Sequence, residues 1–175
     1  MNKRLICITG EKDGGKTHLL YAVCSIIDLE GFSIGGMIQV PSLPNTEKRV
    51  YQLSDQHSGE IRTILDREKH DLWEPFKSFY LNQESFDWAN NQILSTYQDS
   101  DFLIFDEIGL LELEKKGFYD SFSKVLHTYK GRIIFNVRDK FLTQICKEFR
   151  IDDDELLIIK STMSSDSAYE RIMND

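Results

Sequence analysis

The stretch Gly10-Glu11-Lys12-Asp13-Gly14-Gly15-Lys16-Thr17 carries the side chains needed to hold a polyphosphate, at the spacing G-x-x-x-x-G-K-[ST]. Its glycines let the backbone curl and point successive N–H groups at phosphate oxygens. A helix starting at the loop's end would add free N–H groups and a dipole that favour anions. Lys16 would reach the β- and γ-phosphates, Thr17 would place its hydroxyl on magnesium, and His18 closes the loop. A second group, Asp106-Glu107, sets two carboxylates directly after an apolar run. In such a site Asp106 holds magnesium or its bound water, and Glu107 orients or deprotonates an attacking water. The expected chemistry is attack on the γ-phosphate of a nucleoside triphosphate, with Lys16 and Glu107 catalytic and Thr17 and Asp106 on the metal.

These groups meet only if the chain places them on one edge of a sheet. Leu5 to Thr9 is a continuous apolar run ending at a glycine, which predicts a strand buried on both faces. Lys16 to about Glu30 then has helical spacing, with Leu19, Leu20, Val23, Ile26 and Ile27 on one face and Gly31 as a C-terminal cap. Phe32 to Val40 reads as a second strand, ended by Pro41 and Pro44. Residues 46–66 predict an inserted hairpin, Arg49–Leu53 and Glu60–Leu65 flanking the turn-rich Ser54–Gly59. Asp66 to Asp71 reads as a loop and Phe76 to Leu81 as one further strand. Asn82 then caps a helix with Phe86, Ala89, Ile93 and Tyr97 on its apolar face.

The second half alternates: strand Asp101–Phe105, a helix marked by Phe118, Phe122, Val125, Leu126 and Tyr129, and strand Arg132–Val137. A helix through Leu142, Ile145, Cys146 and Phe149 follows, then strand Leu156–Ile159 and a short helix capped by Ser164 or Ser165. This order predicts a three-layer α/β fold of one domain over 1–175: a mostly parallel sheet, helices on both faces and a hairpin inserted. Ligands of such sheets bind at the carboxyl ends of the strands, where the glycine loop and Asp106 would meet.

Asp106-Glu107-Ile108-Gly109-Leu110-Leu111-Glu112-Leu113 resembles the D-E-I-G-x-M-E-L signature of a small family of P-loop nucleoside triphosphatases, found in thermophilic archaea and bacteria and in humans. The family is similar in length and in the order of loop, hairpin, acidic strand and following helix–strand pair. The resemblance implies the P-loop fold and slow hydrolysis of ATP, GTP and related nucleotides, with broad base tolerance. It assigns Gly10, Gly15, Lys16 and Thr17 to phosphate and magnesium, and Asp106 and Glu107 to metal and water. Glu112 matches the family's second glutamate, as a site residue or as a charge beside the strand end. Two departures stand out. Lys12 and Asp13 replace the family's usual proline and glycine, and Lys48-Arg49-Val50-Tyr51 lacks the glycine of an Arg-x-Gly-Phe-like element. Asp13 brings a negative charge to a phosphate site, so turnover is affected more than binding.

Composition narrows the partners. The chain has 175 residues, 41% of them hydrophobic and 29% charged, with a net charge of −8. That acidity argues against a nucleic-acid partner and for a small molecule or a protein. Three scattered cysteines without a CxxC pair, and four scattered histidines, predict neither disulfides nor zinc. No apolar run is long enough for a membrane span, and the expected location is the cytoplasm. Two other functions fit the same loop. One is a kinase, with Arg62 and Arg67 closing over the phosphates. The other is a nucleotide-dependent switch that orders the hairpin for a protein partner. In the switch reading, Asn136-Val137-Arg138-Asp139 would be a degenerate guanine reader. Arg138 could instead touch the γ-phosphate.

Overall fold

A computed structural model describes residues 4–41 and 49–175. Pro44, Lys48 and the first positions of the expected hairpin region, 46–48, lie outside the described residues. The strands are β1 (Leu5–Gly10), β2 (Ile34–Gln39), β3 (Val50–Asp55), β4 (Ile61–Asp66), β5 (Glu74–Phe76), β6 (Phe79–Leu81), β7 (Phe102–Phe105), β8 (Arg132–Arg138) and β9 (Leu156–Lys160). The helices are α1 (Lys16–Leu29), α2 (Gln83–Thr96), α3 (Leu110–Leu113), α4 (Tyr119–Thr128), α5 (Asp139–Phe149) and α6 (Ser165–Asn174).

All nine strands join in one sheet, in the order β5-β6-β4-β3-β2-β7-β8-β1-β9. From β2 to β9 neighbouring strands are parallel, and from β2 to β5 they are antiparallel. Every residue of β1 is buried because both of its faces are covered. Ile6 and Ile8 pack with Leu20 and Val23 of α1 and Ile172 of α6. Leu5 and Cys7 face the other core, with Phe86 of α2, Phe122 of α4 and Ile145 of α5. The layers are therefore α1 and α6, the sheet, then α2, α4 and α5. Phe122 holds the second core together, its ring packing edge-on against Phe105, Phe135 and Phe149 at 4.9–5.2 Å.

Helix ends follow local chemistry. Asn82 accepts a hydrogen bond from the Ser85 N–H at 3.2 Å, and Ser164 one from Ser167 at 3.3 Å. Gly31 sits at φ 86° past α1, where a side chain would be strained.

Two expectations change. The hairpin is more than an insertion: β3 pairs with β2 and starts a four-stranded antiparallel extension of the sheet. The single strand expected over Phe76–Leu81 is the tip of a tight hairpin, β5 and β6, with Phe76 opposite Phe79 and Lys77 at φ 54°. Lys77-Ser78 carries no glycine or asparagine, so the turn leaves no ordinary signal. The short α3, inside the family signature, was also not predicted. Among the described residues no helix is long and apolar enough to cross a membrane.

Candidate functional site

Strand register decides what converges. Gly10 at the end of β1 lies opposite Arg138 of β8, and Phe105 at the end of β7 lies between Met37 of β2 and Phe135 of β8. Gln39, Asp106, Asn136, Arg138 and the glycine loop thus share the carboxyl edge of the parallel sheet, the edge where such folds bind ligands.

The loop Gly10–Thr17 runs from β1 into α1. Its tip, Glu11 to Gly14, is exposed. Gly15 ends it at φ 83°, a conformation that glycine adopts without a Cβ clash. No side chain caps α1 and no acidic residue lies in its first turn, so the leading N–H groups are left for an anion. Lys16 is 5% exposed, and its Nζ donates to the Glu11 carbonyl oxygen at 2.7 Å across the loop. His18 is exposed on the first turn. Asp13 sits at φ 57°, in the left-handed region that favours glycine and tolerates aspartate. The family's usual glycine at this place has a conformational reason, and Asp13 meets it with the next best residue type.

Asp106 is 1% exposed, beyond the end of β7. Its Oδ1 accepts from Asn136 Nδ2 at 2.6 Å and from Thr17 Oγ1 at 3.3 Å, and its Oδ2 from the Gln39 N–H at 3.2 Å. Burial drives its pKa up to about 6 against the pull of these bonds, and the nearby Glu107 charge adds to the rise. The protein alone thus compensates this carboxylate poorly. A divalent cation would supply the missing charge.

The donor set fits such an ion. A hydroxyl and a carboxylate are hard oxygen donors, and the buried Oδ1 of Asn136 has no hydrogen-bond partner among the described residues, which suits it to a metal-bound water. Among the described residues there is no group of three or more His, Cys, Asp or Glu able to cage a metal. A cation here would complete its shell with phosphate oxygens and water, the habit of magnesium.

Glu107 is half-buried, its Oε1 2.8 Å from Arg138 Nε. That Nε is buried and has no aligned hydrogen bond, so the contact is ionic and open to exchange. Glu112 is fully buried and structural in its contacts. It accepts the Gly109 N–H at 2.7 Å and the Phe118 N–H at 2.8 Å, tying both ends of the segment around α3. Burial pushes its pKa up to about 7, against those two bonds.

Several sequence expectations find other partners. Arg62 pairs with Glu60 at 2.7 Å and stacks over Trp88, and Arg67 lies over the Phe79 ring. Both thus have partners on or beside the antiparallel extension, and neither lines the cleft described below. Asn136 is spent on Asp106, while Asp139 accepts from Thr9 Oγ1 at 2.6 Å and pairs with Lys160 at 3.1 Å. Both residues of the expected guanine reader therefore have partners within the protein. The hairpin of the switch reading is β3 and β4, paired with each other and, through β3, with β2. Sequence reasoning missed Asn136 as the neighbour of Asp106 and missed the Gln39 N–H. Their signal lay only in the strand order, which puts β8 and β2 on either side of β7.

Beyond Glu107 a half-open cleft of about 360 Å³ runs between α3, α5 and the antiparallel extension. Asp106, Glu107 and Arg138 are among the residues that line it.

Comparisons with known proteins agree with this geometry. The family described as NTPase matches residues 5–172. A relative, the Nucleoside-triphosphatase THEP1 of Methanopyrus kandleri, is 24% identical over 171 residues, covering 96% of this chain and 92% of that one. The crystal structure of THEP1 from the hyperthermophile Aquifex aeolicus superposes with a TM-score of 0.69 at 21% identity, over 90% of each chain. The solution structure of a human cancer-related nucleoside triphosphatase gives 0.69 at 15% identity, over 98% of this chain and 94% of that one. With a P-loop fold, a glycine loop facing a buried aspartate, and a family match over nearly its whole length, this chain belongs to the NTPase family of nucleoside-triphosphatases.

Proposed function

We propose that the protein hydrolyses nucleoside triphosphates to diphosphate and phosphate, slowly and with magnesium, accepting ATP and GTP alike. The observation that carries this reading is the 3.3 Å contact between Thr17 Oγ1 and Asp106 Oδ1, which joins the end of the glycine loop to the acidic strand end. Magnesium bound there would neutralise charge on the phosphates and fix their place.

The protein's own groups do the rest. The backbone of Gly10–Thr17 and the head of α1 bind the polyphosphate, and Lys16 leaves the Glu11 carbonyl for its outer oxygens. Arg138 exchanges Glu107 for the γ-phosphate, because a phosphate carries more charge than one carboxylate. Glu107, released, orients a water and takes its proton as oxygen attacks phosphorus. The bond to the bridging oxygen breaks and its electron pair leaves with the diphosphate. Breadth toward bases fits Asn136 and Asp139 being engaged elsewhere.

We read residues 1–175 as one nucleotide-binding domain, since a single sheet runs through it. A cytoplasmic setting fits three free cysteines, of which Cys7 and Cys24 are buried. The test is phosphate release from ATP and GTP with magnesium, comparing wild type with Lys16→Ala and Glu107→Gln. Loss of release in both variants supports the assignment, whereas release that survives Lys16→Ala refutes it.

A further inference from the structure

Hydrolysis needs room for one water beyond the γ-phosphate, roughly 30 Å³. The cleft beside Glu107 and Arg138 is about 360 Å³, within the range of small-molecule sites. Its wall is also unlike a water channel. Tyr51, Phe76, Phe79 and Phe141 line it, with Leu110 and Leu111 of α3. Tyr51 and Phe79 are set edge-to-face at 5.3 Å, a rigid aromatic corner.

Four cations and three carboxylates line the cleft, Lys12, Lys77, Lys140 and Arg138 against Asp106, Glu107 and Glu112, and the carboxylates already have partners within the protein, Asp106 among them. Glu107 is paired with Arg138, and both oxygens of Glu112 are taken by backbone N–H groups. Lys12, Lys77 and Lys140 also line the cleft, and among the described residues none of them has a carboxylate partner. Lys140 Nζ lies 4.7 Å over the Phe141 ring, where the aromatic wall meets the cationic rim.

We propose that this cleft binds a second, organic ligand: a small aromatic molecule carrying a negative charge. Its ring stacks on the Tyr51–Phe79 corner and its anionic group meets the lysine rim. Glu107 lines the same cleft, so the ligand displaces the water that Glu107 would orient and couples its own binding to nucleotide turnover. This coupling rests on the hydrolytic role given to Glu107, whereas the binding site does not.

The probe is the fluorescent aromatic sulfonate 1-anilinonaphthalene-8-sulfonate, titrated into the full chain. Saturable binding at one site is expected, with inhibition of phosphate release at the same midpoint and no change in the apparent KM for nucleotide. Leu111→Trp, which fills the cleft, should abolish probe binding, its folding being checked by circular dichroism. Lys140→Glu, at an exposed position on the first turn of α5, should weaken binding about tenfold by reversing one rim charge. Lys16→Ala should lose phosphate release yet keep the probe, so failure of the hydrolytic reading shows separately. Absence of saturable binding, binding unchanged in Leu111→Trp and Lys140→Glu, or binding without inhibition would each overturn the proposal.

Discussion

Asp106→Asn should kill turnover and make the nucleotide-free protein more stable. Asp106 is buried and its pKa stands at about 6, against an ordinary 3.8. Two decades of proton affinity correspond to about 3 kcal/mol that the ionised form costs the folded state at neutral pH. Asparagine has no ionised form. Its Oδ1 can still accept from Asn136 and Thr17, but its amide faces the Gln39 N–H and loses that bond, worth about 1 kcal/mol. The variant therefore gains about 2 kcal/mol, or about 5 °C in Tm for a chain of this size.

The pH dependence is the sharper check. The folded pKa lies above the unfolded one, so between the two values the folded state holds more protons and wild-type stability falls as pH rises. The penalty is complete above about pH 6 and absent below about pH 4. Calorimetry of both proteins in chelator should show the variant ahead at about pH 7.5 and level with or slightly behind wild type at about pH 4. Adding magnesium and nucleotide should reverse the order at neutral pH, since ligand at a hundred times its Kd stabilises wild type alone by about 2.7 kcal/mol. A variant less stable at neutral pH, or a difference that does not move with pH, would refute the account of Asp106 as an uncompensated buried charge.

Other perturbations separate the remaining roles. Asp13→Gly removes both a charge at the loop tip and a left-handed non-glycine residue; nucleotide Kd by titration calorimetry should tighten about tenfold, with Tm within about 3 °C of wild type. Unchanged affinity would show that Asp13 does not feel the phosphates. Arg138→Ala should cut kcat about a hundredfold and weaken nucleotide Kd by less than about tenfold, because its γ-phosphate contact replaces the Glu107 pair on binding and strengthens as charge develops in the transition state. An equal loss in Kd would make it a simple binding residue. Glu112→Ala leaves the buried N–H groups of Gly109 and Phe118 unpaired, so thermal unfolding should come about 10 °C earlier, whereas Glu107→Gln should barely move Tm. Wild-type stability in Glu112→Ala would return Glu112 to the list of site residues.

What the sequence made legible was whatever one strand and its following turn determine alone. The buried run of β1, the glycine loop and the amphipathic α1 carry their own periodicity, and so do the alternating elements after Phe102. The two motifs could be joined into one site because parallel strands put their carboxyl ends on one edge. Interactions between elements were not legible. Asn136 reads as part of a nucleotide-base motif in sequence, yet it sits on Asp106 because β8 lies beside β7, an adjacency no local pattern encodes. Arg62 and Arg67 look like phosphate-closing arms until the pairing of β3, β4 and β6 turns them onto Trp88 and Phe79. The same pairing raises the aromatic wall of the cleft, whose members come from β3, β5, β6 and α5. The extension that the sequence shows only as a hairpin is therefore the element that gives this site a second chamber. Tyr51, Phe76 and Phe79 of that wall lie on β3, β5 and β6, so changes in those strands are where a function narrower than nucleotide hydrolysis would first show.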